Sequence, residues 1–364
     1  MRFPELSGEW EKFRNDSLFN VVSEKNKGKQ ITSVLSASQT DGMVSRDSLG
    51  IDIKFEDDSI KNYKIVREGD YVIHLRSFQG GFAFSDRVGV CSPAYTILRP
   101  TQQISYGFLK PFFMSNKFID SLRLVTYGIR DGKSISVEEW LKLSTSLPSV
   151  EEQKKISAFL SLLDERIATQ IKIIEKLESL IKGLCSSLFD KNKYDSFVRL
   201  GDISEITNGN SDVQDASLSY SDGMYPFFDR SEDIKFLPEY LLDKEAIIYP
   251  GEGSEFYPRY YNGKFALHQR CYAIYDIAPN FATRYLYFFC KTQNSYFVRN
   301  AVGSTVASLR LDTFKRLNIP NIPIELQKTY VQLLDKIETK IVDNKTVLKK
   351  YEEQKRYLLS KMFI

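Results

Sequence analysis

The sequence predicts an α+β protein made by tandem duplication: two pseudo-symmetric α/β blocks separated by two long antiparallel coiled-coil helices. Three observations carry this. A heptad seam runs through residues 149–189 and recurs 174 positions later. The blocks that precede the two seams follow one order of elements at an offset of 174 to 177. Each block places short extended runs ahead of an aromatic helical segment. The predicted boundaries are 1–147 for the first block, 148–191 for the central helix, 192–321 for the second block and 322–364 for the C-terminal helix.

The seam is read from spacing. Ile156, Leu160, Leu163, Ile167, Gln170, Ile174, Leu177, Ile181, Leu184 and Leu188 alternate in steps of four and three, which is the heptad pattern. Tyr330, Leu334, Ile337, Ile341, Asn344, Leu348, Tyr351, Lys355, Leu358 and Met362 repeat it. Pro148 with Gln153, and Pro323 with Gln327, stand at the two helix starts, where proline disfavours helix in the residue before it. Glu151, Glu152 and Glu325 suit the N-terminal dipole. Gly183 is the one poor helix former in the first copy. A helix of roughly 39 residues spans about 58 Å and needs a partner for its seam. The other copy is the nearest one available. Gln170 and Asn344 hold the same seam position, so antiparallel pairing brings their amides together and fixes register. The alternative is that one or both face solvent.

In the first block, Trp10 and Phe13 open the chain of elements. A strand-like run follows at 70–75, then a glycine-containing loop at 77–81, an extended run at 94–98 and an aromatic helix at 108–124. A loop at 128–134 precedes an amphipathic segment at 137–141. The second block repeats this order. Phe197 and Leu200 stand for Trp10 and Phe13, residues 245–249 for 70–74, and 272–274 for 95–97. The second aromatic helix is expected at 285–302, and Gly303 stands for Gly128. A nearly constant offset through blocks and helices alike marks a duplicated unit of about 175 residues.

Composition sets bounds. A chain of 364 residues suits two or three domains. The formal net charge of +3 provides no global basic field, so a nucleic-acid surface must come from local clustering. Cys91, Cys185, Cys271 and Cys290 show no paired spacing. With no signal segment after Met1, they read as reduced thiols in a cytoplasmic protein. No apolar run is long enough to span a membrane.

The helix start Leu147-Pro148-Ser149-Val150-Glu151-Glu152-Gln153-Lys154-Lys155-Ile156, its second copy from Ile322, Leu163-Asp164, the N-terminal Arg2-Phe3-Pro4-Glu5, the run Val198-Arg199-Leu200-Gly201-Asp202-Ile203 and Gly303-Ser304-Thr305 together resemble the specificity subunit of type I restriction–modification systems, over the whole chain. There are departures. The second helix start has Leu326-Gln327 for Glu152-Gln153, and the first block has Gly128-Ile129-Arg130 in place of a Gly-Ser-Thr loop.

The resemblance implies that the blocks are target-recognition domains. Each reads one half of a bipartite, asymmetric target in double-stranded DNA. It further implies that the helices set the separation and dock two modification subunits, which carry S-adenosylmethionine and methylate adenine, and that restriction subunits join this core. The chain itself is then a non-catalytic reader with no cofactor or metal of its own. A 58 Å spacer corresponds to about 17 base-pair steps.

The residues agree with an absence of chemistry. No glycine-rich cofactor loop or Asn/Asp-Pro-Pro-aromatic run is present, and Tyr249-Pro250-Gly251-Glu252-Gly253 reads as a turn. His74 and His268 read as core or interface residues, and no His/Cys cluster has metal spacing. DNA contacts are expected from loop arginines, amides and hydroxyls. In the first block these are Arg76, Ser77, Gln79, Arg87, Arg130 and Lys133. In the second they are Asn208, Asn210, Arg230, Arg259, Tyr260, Gln269, Arg270, Ser304, Thr305 and Arg310. The loops 76–81 and 251–259 correspond, as do 128–134 and 303–308. Any single member can instead be a solvated surface group. Two other readings are a coiled-coil scaffold with two globular heads and no DNA role, and an independent nuclease or methyltransferase, which the missing motifs disfavour.

Overall fold

The computed structural model describes residues 9–28, 30–38, 41–46, 59–128 and 133–362. The first block runs β1 (Glu11–Arg14), α1 (Asn15–Leu18), β2 (Phe19–Val22), β3 (Leu35–Ser38), β4 (Gly42–Ser45), β5 (Lys64–Val66), β6 (Tyr71–Ile73), α2 (Ser77–Gly80), β7 (Ala83–Phe84), β8 (Gly89–Cys91), β9 (Thr96–Pro100), α3 (Lys110–Phe113), α4 (Asn116–Ser121), β10 (Thr126–Tyr127), β11 (Ser134–Ile135), α5 (Val137–Lys142) and β12 (Ser144–Leu147). The long helix α6 (Val150–Leu188) follows. The second block runs β13 (Phe197–Arg199), α7 (Leu200–Ile203), β14 (Glu205–Asn208), β15 (Tyr225–Phe228), β16 (Lys235–Leu237), β17 (Leu242–Pro250), β18 (Arg259–Leu267), β19 (Cys271–Tyr275), α8 (Thr283–Lys291), α9 (Asn294–Asn300), α10 (Leu311–Lys315) and β20 (Asn318–Pro320). The second long helix, α11 (Ile324–Met362), is 39 residues long, as is α6.

Contacts divide the chain into two units. One holds residues up to Thr169 together with those from Leu348 onward; the other is 170–347. Each unit takes one block, half of α6 and half of α11. Asp164 pairs with Lys355 and Gln170 with Asn344. Partner numbers fall along α11 as they rise along α6, so the helices pair antiparallel. Gln170 is buried, and its amide donates to both the Asn344 side chain and the Asn344 carbonyl, the latter at 3.2 Å.

The duplication is visible in strand order and register. The first unit's sheet is β2-β9-β6-β7. The second repeats that order as β14-β19-β17-β18 and adds β15 and β16. Val72 pairs with Ile97, and Ile247 pairs with Ile274, 175 and 177 positions further on. The pairs β1–β12 and β13–β20 also correspond. Their register sets Phe13 opposite Thr145 and Val198 opposite Ile319, so Phe13 matches Val198. The expected match of Phe13 to Leu200 is therefore two residues out of step. Both residues are apolar, and no helix period runs through this stretch to fix the offset.

The first unit's larger core joins block to helices, and a smaller one gathers Leu35, Met43, Val66, Val72, Ala83, Cys91 and Ile97. In the larger, Phe19, Tyr71, Phe82, Phe113, Phe118 and Trp140 from the block pack with Ile156, Leu160, Leu163, Leu358 and Met362 from the helices. The expected aromatic helix at 108–124 is broken into α3 and α4. Ser115 stops it, because its hydroxyl accepts the Phe118 N–H as a new N-cap (3.2 Å). The second aromatic helix is likewise broken between α8 and α9, at Thr292 and Gln293.

The two helix starts carry the same buried clamp. Gln153 Nε2 donates to the carbonyls of Gln103 (2.9 Å) and Pro148 (3.0 Å), and its Oε1 accepts the Ser105 N–H (2.8 Å). Gln327 Nε2 donates to the carbonyls of Asn280 (3.0 Å) and Ile322 (2.9 Å), and its Oε1 accepts the Ala282 N–H (2.9 Å). In each unit one amide thus ties the helix start to a loop of the block.

The second unit adds an ionic seam between α8 and α11. Glu338 takes Arg284 (2.7 Å), Lys291 (2.9 Å) and the Tyr287 hydroxyl (2.9 Å). Burial pushes the Glu338 carboxyl up. The Lys291 hydrogen bond and charge, with those of Arg284 and the Tyr287 bond, outweigh it and hold the carboxyl below its usual range. A depressed carboxylate contributes stability above its unfolded pKa and loses it as pH falls through the folded value. Glu338→Gln is therefore expected to cost about 2 kcal/mol at pH 7 in urea unfolding. The difference from the parent chain should shrink as pH falls below about 4.

Candidate nucleic-acid interface

The second sheet curls toward closure, and this gathers the polar loops. The Leu267 carbonyl, at the end of β18, accepts the N–H groups of Asn210 and Ser211 beyond β14 (both 3.2 Å). Ser211 and His268 form a bridge, and the His268 N–H donates to the Phe228 carbonyl (3.0 Å). Asn208 Nδ2 reaches the Gln269 carbonyl (3.3 Å). Arg270 Nη1 pairs with Glu252 (2.5 Å), and Glu252 bridges to Ser308. Five loops, around 208–212, 228–231, 251–254, 268–270 and 302–309, are thereby joined. Two glycines permit the contact. A Cβ on Gly209 would lie 2.0 Å from the Leu267 oxygen, and one on Gly251 2.0 Å from the Arg270 oxygen.

This cluster collects most of the expected second-block residues. Asn208, Asn210, Arg230, Gln269, Arg270, Ser304, Thr305 and Arg310 are all exposed. Arg259 and Tyr260 are not available in the same way. Arg259 points inward: its Nη2 donates to the carbonyls of Asp229 (2.9 Å) and Ser231, its guanidinium lies 5.7 Å from the Phe228 ring centre, and its Nη1 is fully buried. Tyr260, next along the strand, takes the opposite face. There its hydroxyl donates to Glu245 (2.5 Å) and its ring receives Arg284 at 4.5 Å. Arg259 instead organises the 229–234 loop, which carries Arg230. Within that loop Asp229, pushed up by burial but held low overall by Lys235 and Ser231, accepts the Ser231 N–H (2.8 Å).

In the first unit, α2 packs against β11; Arg76 just before α2, Gln79 within it and Lys133 just before β11 are exposed. In both units, then, the loop after the central strand meets the loop after the aromatic helical segment. Ser77 is fully buried, and its hydroxyl accepts the His74 N–H (2.8 Å), which takes it off the surface. Arg87 follows β7 near the start of β6, not its end, and pairs with Asp86 (2.7 Å). The structure therefore separates it from Arg76. Arg130 lies outside the described residues. Among the described residues, no group of three or more His, Cys, Asp and Glu could hold a metal, and no helix is long and apolar enough to cross a membrane. All four cysteines are buried and free.

The sequence reading missed Glu252, Asp229, Lys235 and Ser308, which shape this surface. Nothing in their local pattern distinguishes them from solvated polar residues.

Comparison with known proteins decides the family. The model of the type I restriction modification DNA specificity domain matches residues 7–179 and again 193–352. The chain belongs to the type I restriction modification DNA specificity family. Its two matched regions are the two copies seen in the fold, and each is a DNA specificity domain. The S subunit of a type I restriction-modification system from M. genitalium is similar over 100% of this chain and 99% of its own, at 15% identity and a TM-score of 0.67. A structure described for complex assembly and conformational transition of a type I R-M system is similar over 99% and 98%, at 16% identity and 0.56. The HsdS subunit of Thermoanaerobacter tengcongensis matches over 100% and 98%, at 14% identity and 0.48. At these identities the first two likenesses bear on fold alone. No curated protein sequence matches the chain significantly.

Proposed function

We propose that this specificity chain reads a bipartite, asymmetric target in double-stranded DNA, one half with each unit, and docks two modification subunits that bind S-adenosylmethionine and methylate adenine. Restriction subunits join that assembly, and the chain itself is non-catalytic, without cofactor or metal, in the cytoplasm. The observation that supports this reading best is the repeated juxtaposition: in each unit the same two loops meet, beside exposed Arg76, Gln79 and Lys133 in the first and, in the second, beside exposed Asn208, Gln269 and Arg270 of the adjoining 208–212 and 268–270 loops. Such groups supply both phosphate contacts and base-edge hydrogen bonds. Flipping of the target adenine is the partner's task, and the specificity chain holds the flanking duplex.

The long helices support the docking role. Leu162, Ile173 and Leu180 on α6, and Leu333, Val342 and Val347 on α11, are exposed apolar side chains. Exposed apolar side chains of that kind are available to a protein partner. The Gln170–Asn344 pair is assigned to holding register.

Binding is tested on the chain in complex with its modification subunit. Log affinity for duplex is expected to fall linearly with log salt. Arg270→Ala and Arg76→Ala should each weaken binding by about tenfold or more, from the roughly 1–3 kcal/mol such contacts carry. Salt-independent binding, or unchanged affinity in both variants, favours the scaffold reading instead.

A further inference from the structure

The chain has two histidines. Both occupy one local arrangement, in different units. In the first, the His74 carbonyl accepts the Ser77 N–H (3.0 Å), and its Nδ1 accepts the Arg76 N–H (3.3 Å). In the second, the His268 carbonyl accepts the Cys271 N–H (2.8 Å), and its Nδ1 accepts the Arg270 N–H (3.3 Å). Each is a β-turn with histidine first and an exposed arginine third. Arg76 has φ −113° and ψ 18°, near the values of the third residue in a type I turn. Asn and Asp commonly open such turns, because their side-chain oxygen accepts the N–H two residues on. Here an imidazole nitrogen does so. Duplication does not account for the second copy. His268 lies 194 positions after His74, whereas the match of Val72 to Ile247 at this strand, 175 positions on, sets Tyr249 against His74.

We propose that His74 and His268 are positioning residues: each imidazole caps a turn that holds Arg76 or Arg270 outward at the DNA surface. The assignment rests on the DNA-reading function proposed above. An accepting Nδ1 requires the neutral ring, since imidazolium has two donors and no acceptor. Acidification therefore removes the cap from both turns. Around His74 the neighbouring groups are the Tyr95 ring (6.1 Å), Arg76 and the Gly81 carbonyl, and burial holds its pKa below the ordinary value. The loops packed on His268 bring the Phe227 ring (6.3 Å), Asp212, Asp229, Glu252 and Arg270.

The test uses the full chain with its modification subunit and a labelled duplex pool selected for binding to the parent complex near neutral pH. Parent affinity is expected to fall as pH is lowered below the ordinary histidine value, where the buried His74 ring takes up a proton. The double variant His74→Asn/His268→Asn should bind like the parent near neutral pH, because the asparagine oxygen replaces Nδ1, and should lose that pH dependence. His74→Leu and His268→Leu should each bind about five- to tenfold more weakly. As a readout independent of DNA, hydrogen exchange should show the Arg76 and Arg270 amides deprotected in the leucine variants and protected in the asparagine variant. An asparagine variant that follows the parent pH profile, or leucine variants with parental affinity and amide protection, overturns the proposal. A parent complex that selects no duplex speaks against the DNA-reading function, and the exchange data then decide the turn assignment separately.

Discussion

Gln327→Leu is expected to destabilise the second unit by about 3–5 kcal/mol in denaturant unfolding. The side chain has no exposed surface and serves three backbone groups at once: the carbonyls of Asn280 and Ile322 and the N–H of Ala282. Leucine has nearly the same volume but no polar atom, so it fills the space and leaves those groups without their partner. Each unsatisfied buried polar group costs about 1–3 kcal/mol. Gln153→Leu should act the same way on the first unit, since Gln153 is 1% exposed and serves the Gln103 and Pro148 carbonyls and the Ser105 N–H. Leu326→Ala is the control. That side chain is 39% exposed one position earlier, and its loss should stay within about 0.5 kcal/mol. A Gln327→Leu chain that unfolds with the parent would show that the clamp is not what joins block to helix.

The second large effect is expected from Gly209→Ala. The added carbon would sit 2.0 Å from the Leu267 oxygen and 2.4 Å from the His268 oxygen, both backbone atoms. No rotamer change relieves that clash, so the 208–211 loop must separate from the 267–270 turn. The expected cost is about 3 kcal/mol, at the upper end for overpacking. Because that junction carries Asn208, Asn210, Gln269 and Arg270, DNA affinity should drop with it. Gly183→Ala gives the opposite sign. Gly183 lies in the interior of α6 with nothing near its Cβ position, so alanine should stabilise the helix by up to about 1 kcal/mol. Equal melting of the Gly209→Ala and parent chains would mean that the loops do not meet as described.

Much of the architecture was legible because it is periodic. The heptads placed both long helices, and a constant offset exposed the duplication, since equal sequence separations survive where side-chain identity does not. The pairing of Val72 with Ile97, and of Ile247 with Ile274, follows the offsets read from sequence. Local interruptions were less legible. Ser115 breaks an aromatic run that looks helical throughout, because a hydroxyl that caps and one that faces solvent have the same sequence signature.

The candidate site shows the same limit. Arg259 and Tyr260 are adjacent polar residues at a strand start, and strand geometry sends them to opposite faces. Which face is interior depends on the curl of a sheet made from distant strands. Gln153 and Gln327 could be seen to recur, but the three groups each one serves lie partly on loops about fifty residues away.

The central claim is that two units read two separate DNA segments for a partner that methylates. The most direct measurement is to co-express the chain with its modification subunit, purify the complex and map every methylated adenine. The account predicts a split motif, two short specific parts around a fixed unspecific gap. Replacing residues 192–321 with the corresponding block of another member should change one part alone. A stable complex that methylates nothing, or a single uninterrupted motif, would contradict it.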